Sequence, residues 1–245
     1  MPDTLSGKSC LLTGAAGSVG RAVAGALAAE GVKLFLTSRG KGELSRLAKD
    51  VKTAGPSTAH VHFYNCDLLE TGCADQLYER ATETIGTPDI IVNAAGIGKF
   101  GKISEIAPED LVELLNVNVV APFAIVRKFV PAMSERGNGS IVNISSIAGV
   151  YGYPYCTAYS ASKAALIGFS RSLREELMPK GVRVFTVCPS SVDTPFMNNV
   201  SKHIPREKML RPEDIAHVVL RLVSQPERVV EEEVVVRPMA FRPYI

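Results

Sequence analysis

The sequence predicts a single α/β domain, a parallel sheet of about seven strands covered by helices on both faces. Short apolar runs and helical segments alternate along the whole chain. A glycine-rich turn joins the first apolar run to the first helical one. No linker-like or low-complexity stretch divides residues 1–245, so they are read as one domain.

Lys8 to Thr13 (Lys-Ser-Cys-Leu-Leu-Thr) is a short apolar run of the kind that forms a buried strand. Gly14-Ala15-Ala16-Gly17-Ser18-Val19-Gly20 follows at once, and Arg21 to Glu30 has helical composition, ending at Gly31. Val32 to Ser38 reads as a second strand and Lys41 to Lys52 as a helix. Ala59 to Asn65 is the third strand, Glu70 to Ile85 the third helix, and Asp89 to Val92 a short fourth strand. Pro108 to about Arg136 is helical, with a bend or break expected because Pro122 sits inside it. Ser140 to Ser145 is the fifth strand. Thr157 to Met178 is a long helix stopped by Pro179 and Gly181. Val182 to Cys188 is the sixth strand, Pro212 to Ser224 a helix opened by Pro-Glu-Asp, and Glu233 to Arg237 the last strand. This alternation places the chain in the Rossmann-like, doubly wound class, whose ligands bind beyond the carboxyl ends of the strands. The glycine turn, Arg39, Asp67, Asn93, Ser146 and Ser190 all follow predicted strand ends.

The bulk numbers narrow the function classes. Of 245 residues 46% are hydrophobic, enough for one large core, and the net charge of +2 points to neither a nucleic-acid nor an acidic partner. The five cysteines form no C-x-x-C pair; Cys10, Cys66 and Cys188 lie in or beside apolar runs and are read as reduced core residues. The four histidines are scattered, so no metal site is expected. No apolar signal core or membrane-length run appears, which makes a cytoplasmic protein the expectation. The ending Arg242-Pro243-Tyr244-Ile245 matches no targeting signal.

Two motifs carry chemistry. In Tyr159-Ser160-Ala161-Ser162-Lys163 the Tyr and Lys are four apart, so on a helix they share a face with Cβ atoms roughly 6 Å apart. An ammonium beside a phenol favours the phenolate, and a tyrosine whose pKa falls toward neutrality can act as a general acid and base. The glycine turn supplies the second. Between a strand and a helix, glycines let the backbone approach a pyrophosphate, which the helix N-terminus receives. The plain alternatives are a surface helix with an incidental Tyr and Lys, and a tight turn of small residues.

Together, Thr13-Gly14…Gly20, Asn93-Ala94-Ala95-Gly96, Asn118, Ser146, Tyr159-x-x-x-Lys163 and Pro189…Thr194-Pro195 resemble the compact, single-domain branch of the short-chain dehydrogenase/reductase family. The resemblance covers nearly the whole chain. It implies Tyr159 as proton donor and acceptor, Lys163 tuning it and bonding the nicotinamide ribose, Ser146 orienting the substrate oxygen, and Asn118 anchoring a water relay to Lys163. Ser145 is the neighbour most easily confused with Ser146. Implied cofactor contacts are Gly14, Ala16, Gly17, Ser18, Val19 and Gly20, then Arg39, Asp67 and Leu68, then Asn93, Ala94, Ala95 and Gly96, then Val192 and Thr194, with Tyr159 and Lys163. The Asn93 to Gly96 motif also has a structural reading, stabilising the central sheet. Two positions depart from the family pattern: Ser18 stands where the middle glycine is usual, and Ser190 follows Pro189 where glycine is common.

Charge argues the cofactor. A carboxylate at the end of the second strand suits the ribose 2′-hydroxyl of NAD; Ser38 and Arg39 stand there instead, and a guanidinium binds a 2′-phosphate. NADP(H) is therefore expected over NAD(H). The substrate pocket is assigned to Ser146, Tyr153, Tyr159 and Phe196. Tyr151, Tyr153 and Tyr155 suggest an amphipathic wall for an apolar or aromatic carbonyl compound, or plain packing. A lid from Pro195 to about Met209 carries Lys202, His203, Arg206 and Lys208, read as a solvated loop or as facing an acidic substrate. Gln225 to Pro238 lacks a glycine-rich close and resembles a subgroup of NADP-dependent enzymes acting on small hydroxy acids, amino alcohols or general carbonyls. The expected activity interconverts a carbonyl and a secondary alcohol. A 3-oxoacyl thioester reductase and a non-catalytic NADP(H)-binding sensor are the alternatives. The family implies a homodimer or homotetramer, and Ala164, Ala165 and Gly168 on the long helix permit close packing.

Overall fold

The computed structural model describes residues 5–54, 60–199 and 205–239. The expected apolar runs become seven strands: β1 (Ser9–Thr13), β2 (Lys33–Ser38), β3 (Val61–Asn65), β4 (Ile90–Asn93), β5 (Gly139–Ile144), β6 (Val182–Pro189) and β7 (Glu233–Val236). The helices between them are α1 (Ser18–Ala29), α2 (Lys41–Ala54), α3 (Cys73–Ile85), α4 (Pro108–Leu115), α5 (Ala121–Arg136), α6 (Thr157–Leu177) and α7 (Pro212–Val223). One sheet in the order β3-β2-β1-β4-β5-β6-β7 joins all seven strands, and every pairing is parallel. Strand order therefore reverses between β1 and β4, where a doubly wound sheet opens a crevice.

Both faces of the central strands are buried, which is why β1, β4 and β5 carry apolar runs instead of alternating, while the edge strands β3 and β7 stay partly exposed. Cys10 and Leu12 of β1 point into a core shared with Leu27 of α1, Leu47 of α2 and Val219 of α7. Leu11, between them, points into the opposite core with Leu77 of α3 and Phe129 of α5. Two helices begin Pro-Glu-Asp, and in each the Asp accepts the N–H before the proline: Ala107 N–H to Asp110 (3.0 Å) and Arg211 N–H to Asp214 (2.7 Å).

Two expectations change. The helical run from Pro108 is interrupted, but ahead of Pro122: residues Asn116–Val120 form a π turn, in which the Ala121 N–H donates to the Asn116 carbonyl five residues back. Pro122 sits at the start of α5, where a missing N–H costs least. Cys66 is not a free thiol. The end of β3 and the start of α3 bring it to Cys73, Cα atoms 6.1 Å apart, as a disulfide. A spacing of seven is no recognised motif, so the sequence concealed the pair. Cys10 and Cys188 are buried and free, as expected. Lys202, His203, Ala59 and the four-residue ending Arg242 to Ile245 lie outside the described residues. Among the described residues no helix is long and apolar enough to cross a membrane, and no group of three or more His, Cys, Asp or Glu could hold a metal ion.

The turn after β1 is the tightest part of the fold. Gly14 has φ of +65°, and a Cβ there would lie 2.5 Å from the Ala95 nitrogen. A Cβ on Gly20 would lie 2.2 Å from the Gly14 carbonyl oxygen. Gly20→Ala is expected to destabilise the chain by about 2 kcal/mol, seen as a lower urea midpoint, because neither backbone can move aside.

Candidate active site

The β1–α1 turn, the ends of β2 and β3 and the loop after β4 surround a cleft of about 370 Å³. Gly14, Ala16 and Gly17 form one wall, Ser38, Arg39 and Glu43 the rim, Cys66, Asp67 and Leu68 a side, and Ala94 to Ile97 the inner end. Helix α1 opens into it from Gly17 with no side chain capping its N-terminus and no acidic residue in its first turn. Its leading N–H groups are thus available to an anion. Ser18, Val19 and Gly20 lie in that first turn. Ser18 is compatible with the fold because the close backbone approaches fall at Gly14 and Gly20. Arg39 is exposed at the rim. Glu43, which the sequence reading did not single out, brings a carboxylate to the same rim.

Asn93 is turned away from this cleft. Its amide donates to Asn143 (2.8 Å), whose amide donates to Ser170 (2.8 Å), a buried chain from β4 through β5 to α6. The Asn93 to Gly96 motif divides accordingly, its asparagine structural and its small residues lining the cleft.

At the inner end the proposed proton-transfer residues converge. Measured to the position a Cβ would take on Gly96, both Asn118 Oδ1 and Lys163 Nζ are 3.2 Å away. The π turn carries Asn118, a frequent device for aiming a side chain inward. Its Oδ1 accepts from Ile97 N–H (2.9 Å), and its Nδ2 donates to the Ile97 carbonyl (3.0 Å) and to Ser162 (2.9 Å). Asn118 therefore pins the loop after β4 to α6. Ser146 follows β5, its hydroxyl accepts from Ala148 N–H (3.1 Å), and it lies close enough to the Tyr159 phenol to favour the phenolate. Ser145 is spent elsewhere, donating to the Lys163 carbonyl oxygen (3.0 Å). The two serines are thus distinguished by their partners. Lys163 Nζ donates to the Ile144 carbonyl oxygen (3.0 Å) and lies 5.9 Å from the Tyr159 ring centre. Tyr159 and Lys163 share one helical face, as their spacing requires.

The direction of the tyrosine's titration is a correction. Burial pushes the Tyr159 phenol up to about 12, and nearby Ser146 only partly offsets this. Burial also pushes Lys163 down to about 8. Both groups lose water together, and desolvation is the largest cause of each shift.

The segment after β6 contributes less to the cleft. Val192 is buried in an isolated bridge with Leu210, and the Thr194 hydroxyl donates to the Val192 carbonyl (3.2 Å). Ser190 gives its N–H to Val236 (2.8 Å), extending the β6–β7 pairing. Of the three tyrosines only Tyr153 packs beside Tyr159. Tyr151 is half exposed under the Arg237 guanidinium, and Tyr155 is exposed with φ of 63°. Phe196 does reach the site, and Phe100, which the sequence reading passed over, packs on it too.

The family model for short chain dehydrogenase matches residues 8–205. The chain belongs to the short-chain dehydrogenase family. This short-chain dehydrogenase is 33% identical over 239 residues to the 3-oxoacyl-[acyl-carrier-protein] reductase FabG of Thermotoga maritima, across 94% of this chain and 96% of that protein. Its fold is similar to an alcohol dehydrogenase from Thermococcus sibiricus solved with 5-hydroxy-NADP (TM-score 0.88, 28% identity, 97% of this chain and 99% of that one). It is also similar to L-sorbose reductase from Gluconobacter frateurii solved with NADPH and L-sorbose (TM-score 0.89, 26% identity, all of both chains). Within this family fold, Asn118→Ala is expected to cost about 2 kcal/mol, because it orphans the Ile97 N–H and carbonyl. Hydrogen exchange at the Ile97 amide should accelerate while exchange in β1 stays slow.

Proposed function

We propose that this chain interconverts a carbonyl and a secondary alcohol with NADP(H), using Tyr159 as general acid and base. The observation that carries the reading is one buried constellation: Tyr159 beside Ser146, with Lys163 one turn further on and its ammonium close to Gly96, which lines a cleft fitted to a dinucleotide. The cleft suits that cofactor on its own terms. Glycines stand where a Cβ would strike backbone, an uncapped helix N-terminus can meet a pyrophosphate, and Arg39 can meet a 2′-phosphate. Gly14, Ala16 and Gly17 would cradle the pyrophosphate, Asp67 and Leu68 the adenine side, and Val192 and Thr194 the nicotinamide side. When bound, NADPH supplies the hydride.

The protein's residues handle the proton. Ser146 holds the carbonyl oxygen beside the phenol, since a hydroxyl both donates and accepts. Tyr159 donates its proton to that oxygen in reduction and removes it in oxidation. Lys163, charged below about 8, stabilises the phenolate left behind. Asn118 anchors a water relay toward Lys163. The NADP-complexed and NADPH-complexed relatives support the cofactor assignment. The name of the Thermotoga maritima relative supports a second reading, reduction of a 3-oxoacyl thioester; comparing an acetoacetyl thioester with a free ketone separates them. Outward-facing Ala164, Ala165 and Gly168 on α6 support a homodimer or homotetramer. We read the protein as cytoplasmic.

Tyr159→Phe tests the mechanism. Turnover of 2,3-butanedione, followed at the nicotinamide absorbance, is expected to fall by about 10²–10⁴-fold while NADPH still binds. A sensor module would bind NADPH without oxidising it even before mutation. In the wild type the phenol stays protonated up to about 12 and Lys163 up to about 8, so reduction should hold level through mild acid and fall as pH rises past about 8. Oxidation, which needs the phenolate, should rise only at higher pH, as the phenol approaches about 12. Arg39→Ala is expected to lower kcat/KM for NADPH about tenfold or more and leave NADH little changed. Equal use of both cofactors by the wild type would refute the NADP(H) assignment.

A further inference from the structure

Tyr159 is only 8% exposed, and two phenylalanines pack against its ring. Phe100 comes from the loop after β4, and Phe196 from the 3-10 turn after β6 (Pro195–Asn199). The ring centres of Phe100 and Tyr159 are 5.2 Å apart, those of Phe100 and Phe196 5.6 Å, and those of Tyr159 and Phe196 5.8 Å. Phe100 meets Phe196 edge to face at 89°, and both are tilted against the phenol. These are favourable aromatic geometries, and they close a triangle on the proton donor.

The triangle is built into the fold. A Cβ on Gly98 would lie 2.5 Å from Phe196 Cζ and 2.7 Å from the Phe100 ring, so both rings require glycine there. The Gly101 N–H donates to the Tyr155 carbonyl oxygen (2.9 Å), tying the Phe100 loop to the segment that leads into α6. Around the rings lie Ile97, Ile106, Leu111 and Tyr153, a third apolar cluster separate from the two cores on the sheet faces.

Among the described residues, two cations on the segments that carry these rings, Lys99 and Arg206, are already engaged. Lys99 pairs with Asp110 (2.5 Å) and Glu113 (2.6 Å), one cation held by two carboxylates. Arg206 is held by Asp193 and Asn198. A substrate carboxylate would have to compete for these cations and give up its water against aromatic rings, which is costly. A flat, neutral, apolar substrate replaces ring–ring contact with ring–substrate contact and loses little.

We propose that Phe100 and Phe196 form a two-ring clamp over Tyr159 that selects neutral, flat, apolar carbonyl compounds, aryl ketones and aryl keto esters above all, and rejects 2-oxo acids. The proposal rests on Tyr159 being the proton donor, and deepens that reading by naming a substrate class.

Ethyl benzoylformate and benzoylformate share a carbonyl and differ in charge, while 2,3-butanedione is small, neutral and ringless. The full chain is assayed with NADPH and each compound, and each is titrated calorimetrically into the chain with NADP⁺. The ester is expected to exceed the anion about tenfold or more in kcat/KM and in affinity, and to exceed 2,3-butanedione about tenfold. Phe100→Ala and Phe196→Ala should each lower the ester-to-butanedione ratio about threefold to tenfold. Phe100→Leu and Phe196→Leu, which remove the ring and keep most of the volume, serve if the alanine variants fail to fold. Gly98→Ala, which displaces both rings, should raise KM for the ester. An anion bound or reduced as well as the ester, a ratio unmoved by the ring variants, or binding of none of the three overturns the clamp. Turnover of 2,3-butanedione without preference for the ester sinks the clamp alone. Selective binding of the ester without any turnover keeps the clamp and removes Tyr159 from its chemical role.

Discussion

Ser145, just past β5, donates its hydroxyl proton to the Lys163 carbonyl oxygen (3.0 Å), and Lys163 returns its ammonium to the Ile144 carbonyl oxygen (3.0 Å). This reciprocal clasp locks α6 onto the carboxyl end of the central sheet. Deeper in, Asn93, Asn143 and Ser170 continue the seam. Every residue in it is buried, and apart from Asn93 Oδ1 its side-chain polar atoms are paired inside the protein, so the register of helix on strand has little freedom to slip. Because the clasp sets where Lys163 sits, it also sets where Tyr159 presents its phenol one turn earlier.

The clasp has an electrostatic consequence. The same burial that fixes Lys163 and Tyr159 strips both of water, lowering the amine to about 8 and raising the phenol to about 12. In the cofactor-free chain the pair is therefore held as phenol and ammonium at neutral pH, the state a carbonyl reduction consumes. The cleft beside them carries Arg39 and Glu43, of opposite charge, at its rim.

Much of this was legible in the primary structure. Strands buried on both faces leave unbroken apolar runs, and the helices between them keep their periodicity, so element type and order could be read with boundaries shifted by one to three residues, as at β5, which begins at Gly139 instead of Ser140, and α1, which begins at Ser18 instead of Arg21. Pro-Glu-Asp marked the start of α7 because the cap is local in sequence. The interruption before α5 was half legible: Pro122 signalled that regular helix could not pass, but the π turn falls upstream, where the backbone carries Asn118 inward. Cys66 and Cys73 gave no signal, because a bridge between a strand end and a helix start depends on how the loop folds.

Spacing along the chain alone determined the alternation of strands and helices, the glycine turn and the helical pairing of Tyr159 with Lys163, since each depends on residues close to one another in sequence. Tertiary structure alone decided which serine faces the phenol, which way the two acid–base groups titrate, that Asn93 serves the core, and that Phe100 and Phe196 meet over Tyr159. Those outcomes depend on burial and on groups from distant segments sharing one space, and the linear order of residues records neither.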